Sequence, residues 1–221
     1  MTKETKGLIS IVSIYFLVFV IPHFIPFSGG NQTLKILISL LVYTFLAFFG
    51  MYVLSNHLKG SFSWIKRHKL KSLGIVIFVF LAMTLFDIIG SLLTQLAYSL
   101  LDIPQATLSN DTNISLTINV ISLPLIILVL GVFGPFVEEI IYRYILLNFF
   151  KKFCSAGMSI FLSSLCFALI HVNHFTLSEL LGVLPHFMSG LVFAYTYHKT
   201  DNLLFSSAVH IFNNASIFLL M

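Results

Sequence analysis

Apolar residues along this chain do not alternate with polar ones; they come in long unbroken runs. Runs of roughly 20 residues are too long for a strand and long enough to cross a hydrocarbon core as a helix. Hydropathy predicts seven such spans, near residues 7–27, 34–55, 73–100, 118–149, 155–173, 177–197 and 202–220. The longest polar excursion, LDIPQATLSNDTNIS at 101–115, has the Pro, Asn, Asp and Ser content of a loop. No internal repeat or low-complexity segment interrupts the pattern. It predicts an all-α, polytopic transmembrane bundle, a single integral membrane domain over residues 1–221. The opening MTKETKGLISIVSIYFLVFVIPHFIPF has the charged start of a secretory signal but no small-x-small cleavage site, so it reads as a retained first span.

The polar positions between the runs set an orientation, because basic loops resist translocation. Lys3 and Lys6 precede the first span, Lys59, Lys66, Arg67, Lys69 and Lys71 follow the second, Lys151 and Lys152 the fourth, and Lys199 the sixth. With seven spans all of these fall on one side. The other side has Lys35 as its basic residue, with Asp102, Asp111 and Glu179. A cytoplasmic amino terminus and an external carboxyl terminus follow. The basic stretch HLKGSFSWIKRHKLKS at 57–72 admits two readings. One is a helix lying in the interface, with Phe62, Trp64 and Ile65 among the headgroups and its cations toward anionic lipid; the other is a solvated inside loop.

Composition removes the soluble classes. Hydrophobic residues make up 58% of the chain and charged ones 9%, with a mean hydropathy of +1.00, where a soluble domain carries roughly 25% charged residues. Membrane lipid is therefore the first partner, and a multi-pass place in the cell membrane is expected. The formal charge of +4 forms no basic stripe or aromatic-interleaved patch, so nucleic acid is not an expected partner. Cys154 and Cys166 lack CxxC or zinc spacing and read as packing thiols. Oligomeric state is not legible in any of this.

Against that background, GPFVEEIIYRYILL at 134–147 is anomalous: three ionisable groups, Glu138, Glu139 and Arg143, lie inside an apolar run. At 1.5 Å per residue Glu138 lies about 15 to 20 Å from the inner end of the predicted span. A charged residue at that depth costs roughly 2.5 to 3.5 kcal/mol on insertion scales and usually faces a protein interior or a wet cavity. Glu139 and Arg143, four apart in acid-before-base order, can neutralise each other, either as a structural ion pair or as part of a site. Glu138 points about 100° away, toward the face of Tyr142. It has no local counter-charge, as befits a carboxyl that takes and gives protons.

Two later spans hold complementary groups. FALIH pairs Phe167 with His171, and HIFNN pairs His210 with Asn214, each four residues apart. A lone intrahelical histidine is commonly a packing residue; two histidines, an asparagine and an unpaired glutamate on three spans point to a site. Asp87 in TLFDIIG reads as a gate, a substrate contact or a hydrogen-bonded buried acid. His186, after Pro185, reads as either packing or cavity-lining, while His23, His57, His68, His174 and His198 fall near span ends or in loops.

In order, EEIIYR, FALIH and HIFNN resemble the EExxxR, FxxxH and HxxxN signatures of the CPBP family, the CAAX proteases and bacteriocin-processing enzymes also called the Abi family. The resemblance covers about 130–218, within a family core expected at 118–220, and implies an intramembrane endopeptidase. It implies that Glu138 and His171 activate a water and that His210 and Asn214 stabilise the oxyanion. Glu139, Arg143 and Phe167 would support or orient, and the substrate would be a membrane-associated peptide or protein, such as a bacteriocin precursor, in processing or self-immunity. Two histidines and a glutamate (Glu138, His171, His210) form a possible zinc site with an open fourth position. There is no HExxH helix, however, and the resemblance implies a metal-free mechanism, so no cofactor is expected. Two other functions use the same residues: a proton-coupled transporter, which lacks the expected inverted repeat, and a non-catalytic immunity scaffold.

Overall fold

In hydrocarbon, backbone N–H and C=O groups must be satisfied within their own segment, so the apolar runs become helices. The computed structural model describes residues 2–24, 32–104, 108, 117–118 and 121–220, and among them there is no strand. Asp111, most of the 101–115 excursion and the side chain of His23 lie outside the described residues.

Helix α1 spans Lys3–Tyr15 and is continued by Phe16–Val20 and Ile21–Phe24; α2 is Gln32–Val53, α3 Ser55–Arg67 and α4 Lys69–Leu100. Then come α5 (Leu123–Phe150) and α6 (Ala156–Leu169). The last three are α7 (Leu177–Gly182), α8 (Leu184–Thr200) and α9 (Leu203–Leu220). Among the described residues four stretches are long and apolar enough to cross a membrane: Thr33–Val53, Lys69–Leu100, Leu123–Phe150 and Leu177–Thr200; Ala156–Leu169 and Leu203–Leu219 are shorter apolar helices. The architecture is that of a multi-pass membrane protein.

Helix α5 is the central one. Gly134 to Val137 and Glu139 to Arg143 are buried, with Ile11, Tyr15, Leu46 and Ala47 from α1 and α2 packed around them. Helix α4 is peripheral: Val79, Met83, Gly90 and Thr94 face the protein, while Phe78, Leu81, Leu85 and Leu92 are exposed, as suits lipid contact. Two glycines permit the approaches that build the site. A Cβ on Gly131 would lie 3.2 Å from the Ala215 backbone, so its absence lets α9 close on α5. A Cβ on Gly190 would meet Phe167 at 3.0 Å and Ser164 at 3.2 Å, so α8 lies against α6 in the same way.

Local structure goes beyond the hydropathy reading in three places. The stretch 55–67 is helical and is tied inward: Asn202 Nδ2 donates to the Ser61 carbonyl at 3.3 Å, and Trp64 meets Phe205 edge-on at 5.9 Å. Within α5, Ile127–Phe133 and Ile140–Leu147 are π-helical, with i→i+5 bonding. Pro135 has no N–H to give the turn before it, and the first of these stretches ends just ahead of it. Helix α6 ends at Leu169, so His171 lies in the following turn rather than on the helix.

One end of the bundle gathers the start of α1, the ends of α2, α5 and α8, and the start of α9. Lys3 Nζ donates to the Tyr52 hydroxyl at 2.7 Å, Tyr144 OH to Glu4 at 2.8 Å and Asn148 Nδ2 to Tyr197 OH at 3.0 Å. At the other end, Thr94 and Tyr98 of α4 donate to the Leu181 and Ser178 carbonyls of α7 at 2.9 and 2.7 Å.

Candidate active site

The site starts from the charged turn of α5. Glu139 and Arg143 are wholly buried, with Arg143 Nε 3.4 Å from Glu139 Oε2. That distance pairs the charges, but the two atoms are not aligned as a hydrogen bond. The guanidinium is held by other contacts. Its Nη1 donates to Ser163 Oγ at 3.4 Å, and its plane lies over the rings of Phe167 (4.7 Å) and Phe193 (5.7 Å). Ser163 in turn donates to the Tyr142 carbonyl at 2.6 Å, which fastens α6 to α5.

Helix α9 brings in the imidazole. His210 Nδ1 is 3.2 Å from Glu139 Oε1, and its Nε2 is 3.6 Å from Glu138 Oε2. One histidine thus stands between the two adjacent carboxylates. Its ring stacks on Phe193 (centroids 4.9 Å, 22°) and meets Phe167 edge-on at 5.5 Å, so its plane is fixed by packing. The two carboxylates differ in access: the Glu138 side chain is 12% exposed and that of Glu139 0%. Glu138 is thus the more accessible of the two. Its other oxygen, Oε1, accepts from the Tyr43 hydroxyl of α2 at 3.5 Å.

His171 joins through aromatic neighbours. Its Nδ1 is 3.0 Å from the Phe167 carbonyl, so this nitrogen donates and Nε2 is left as an acceptor. The ring lies 5.3 Å from Phe167 and 4.1 Å from His186, whose Nδ1 is buried without a hydrogen-bond partner. The turn carrying His171 is fastened by Glu179, which accepts from the backbone N–H of Asn173 and of His174, each at 2.8 Å. Thr176 caps α7 through the Glu179 N–H, which fixes where that carboxylate stands.

Glu138, Glu139, Arg143, Phe167 and His210 therefore form one contiguous cluster, with His171 attached through Phe167. Asn214 lies one turn beyond His210 on α9, half-buried, with no hydrogen bond from its side chain among the described residues. Asp87 stays apart, exposed midway along α4. Sequence reasoning missed Tyr15, Tyr43, Ser163 and Phe193; the polar tips of Tyr15 and Tyr43 inside otherwise apolar runs were the available signal.

As a metal site the donors do not converge. Glu139 occupies Nδ1 of His210, Glu138 faces its Nε2, and among the described residues no three His, Cys, Asp or Glu side chains are grouped to hold an ion. As an acid–base site the arrangement is coherent: an accessible carboxyl, an imidazole held by a sealed carboxylate, and a guanidinium balancing the latter.

Residues 120–216 match the family model for type II CAAX prenyl endopeptidases, Rce1-like. No curated protein and no solved structure matches the chain. The matched segment contains every member of the cluster from Glu138 to Asn214 and begins well after Tyr15 and Tyr43.

Proposed function

We propose, from the premise that residues 120–216 belong to the Rce1-like CAAX endopeptidases and so carry a peptide-bond hydrolase, that Glu138 is the general base of an intramembrane protease. The observation that carries this is His210 standing between a sealed Glu139 and a partly open Glu138. Glu138, with His171 on the far side of Phe167, takes a proton from water as its oxygen attacks the peptide carbonyl carbon. The tetrahedral oxyanion accepts hydrogen bonds from His210 Nε2–H and the Asn214 amide. As the C–N bond breaks, Glu138 returns the proton to the leaving amine.

No step needs a metal, because the carboxylate takes the proton of the attacking water, the task a metal performs by lowering the pKa of its bound water. The substrate is a membrane-associated peptide or protein, with a bacteriocin precursor, in maturation or self-immunity, as the first candidate. The site lies in a seven-span bundle of the cell membrane with a cytoplasmic amino terminus. Reconstitution of the purified protein with prenylated CAAX peptides and with peptide precursors, read by mass spectrometry, tests the reading. A single defined cut that requires Glu138 supports it, and no cut in any peptide counts against it.

A further inference from the structure

The two oxygens of Glu138 have different neighbours: Oε2 faces His210 at 3.6 Å, and Oε1 accepts from Tyr43 at 3.5 Å. Tyr43 does not stand alone. Tyr15 lies behind it across the Phe19 ring, with its hydroxyl 3.2 Å from that of Tyr142. Three phenols, from α2, α1 and α5, thus form a packed group whose first member is bonded to one carboxylate oxygen. Its members are held by ring contacts: Tyr43 stacks on Phe19 (4.2 Å, 28°), Phe19 lies 5.2 Å from Tyr15, and Tyr15 meets Tyr142 edge-on at 6.1 Å.

We propose that Tyr43, backed by Tyr15, is a positioning residue that holds Glu138 for proton transfer, so that the segment before residue 120 completes the site. The inference rests on the reading of Glu138 as general base. Packing alone does not require the hydroxyl, since phenylalanine would stack on Phe19 equally well. The carboxylate does require it. Occupation of Oε1 leaves Oε2, beside His210, as the atom that receives the proton of water. It also restricts the rotation of a side chain that otherwise has room to swing.

The test uses the purified full chain in lipid nanodiscs, comparing wild type with Tyr43→Phe and Tyr15→Phe. Cleavage by Tyr43→Phe should show kcat reduced ~10-fold, the scale of one hydrogen bond to a charged group, with KM within about twofold and an unchanged Tm. Independently of any substrate, labelling of Glu138 by a hydrophobic carbodiimide, quantified by mass spectrometry, should rise several-fold in Tyr43→Phe. Tyr15→Phe, one phenol further back, should move both readouts the same way but less. Unchanged kcat together with unchanged labelling overturns the proposal, as does a rise in KM alone, which would make Tyr43 a substrate contact. A wild-type chain that cuts no peptide counts against the hydrolase reading, while the labelling still decides whether Tyr43 holds Glu138.

Discussion

Between Glu138 and Glu139, adjacent in sequence, the backbone turns by about 100°, and that turn separates a carboxyl open to chemistry from one sealed against Arg143. Glu138→Gln should abolish cleavage while leaving insertion and Tm unchanged, because the amide keeps the shape but exchanges no proton. Glu139→Gln should instead lower stability by about 3 to 5 kcal/mol, the scale for leaving one member of a buried ion pair unpartnered. Cleavage and thermal unfolding of both variants check this, and the opposite pattern would exchange the two roles. Metal content is a separate test of the same residues. The purified protein should contain far less than one zinc per chain and keep its activity in a strong chelator. His210→Ala should slow turnover roughly 10²- to 10³-fold, as for the loss of one oxyanion donor. Stoichiometric zinc, with activity lost on chelation and restored on its return, would replace the general base with a metal. These residues were legible in sequence because a charge in an apolar run has no solvent to explain it. Tyr43 gave only a weak signal, a hydroxyl on a ring that is itself ordinary in such a run, and the fold shows what that hydroxyl meets.

Among the elements, α5 shows where hydropathy stops being informative. The sum over a window registers that Leu123–Phe150 is apolar enough to span, but not that two of its stretches are bonded i→i+5. The pairing of Glu139 with Arg143 nonetheless holds at four-residue spacing, although Arg143 lies within the π-helical stretch Ile140–Leu147. The end of α6 was misjudged for a related reason. FALIHV is apolar but for His171, yet the helix stops at Leu169, and the backbone beyond it is satisfied by a side chain, Glu179, from the next element. A carboxylate eight residues downstream is invisible to a search for helical periodicity. Glu179→Gln should therefore cost about 1.5 to 3 kcal/mol, the range for hydrogen bonds to a charged group. It should also slow cleavage by loosening the turn that carries His171, with KM little changed. Thermal unfolding and steady-state kinetics measure the two effects. Wild-type values for both would show that the turn holds His171 without that carboxylate.

For the whole molecule, the seven-span proposal turns on which termini share a side. The contacts Lys3–Tyr52, Glu4–Tyr144, Asn148–Tyr197 and Asn202–Ser61 gather at one end the same segments that carry the basic residues. Lys3, Lys6, Lys59, Lys66, Arg67, Lys151, Lys152 and Lys199 all belong to that end, and with Lys35 the basic residue of the opposite loops, the charge asymmetry is steep. Lysine and arginine near span ends resist translocation, so this end should be cytoplasmic. Helix α9 begins there at Leu203, immediately after the turn at Asp201 and Asn202, and runs to Leu220. Helices α6 and α9 are shorter than a typical span, so the question is whether each truly crosses or turns back within the membrane. A topology reporter fused after Lys69 should be cytoplasmic, and one fused after Met221 should be external. Both reporters on one side would mean that an odd number of the apolar helices turn back rather than cross. Both reporters on opposite sides but inverted would leave the number of crossings standing and reverse the orientation, against the charge rule.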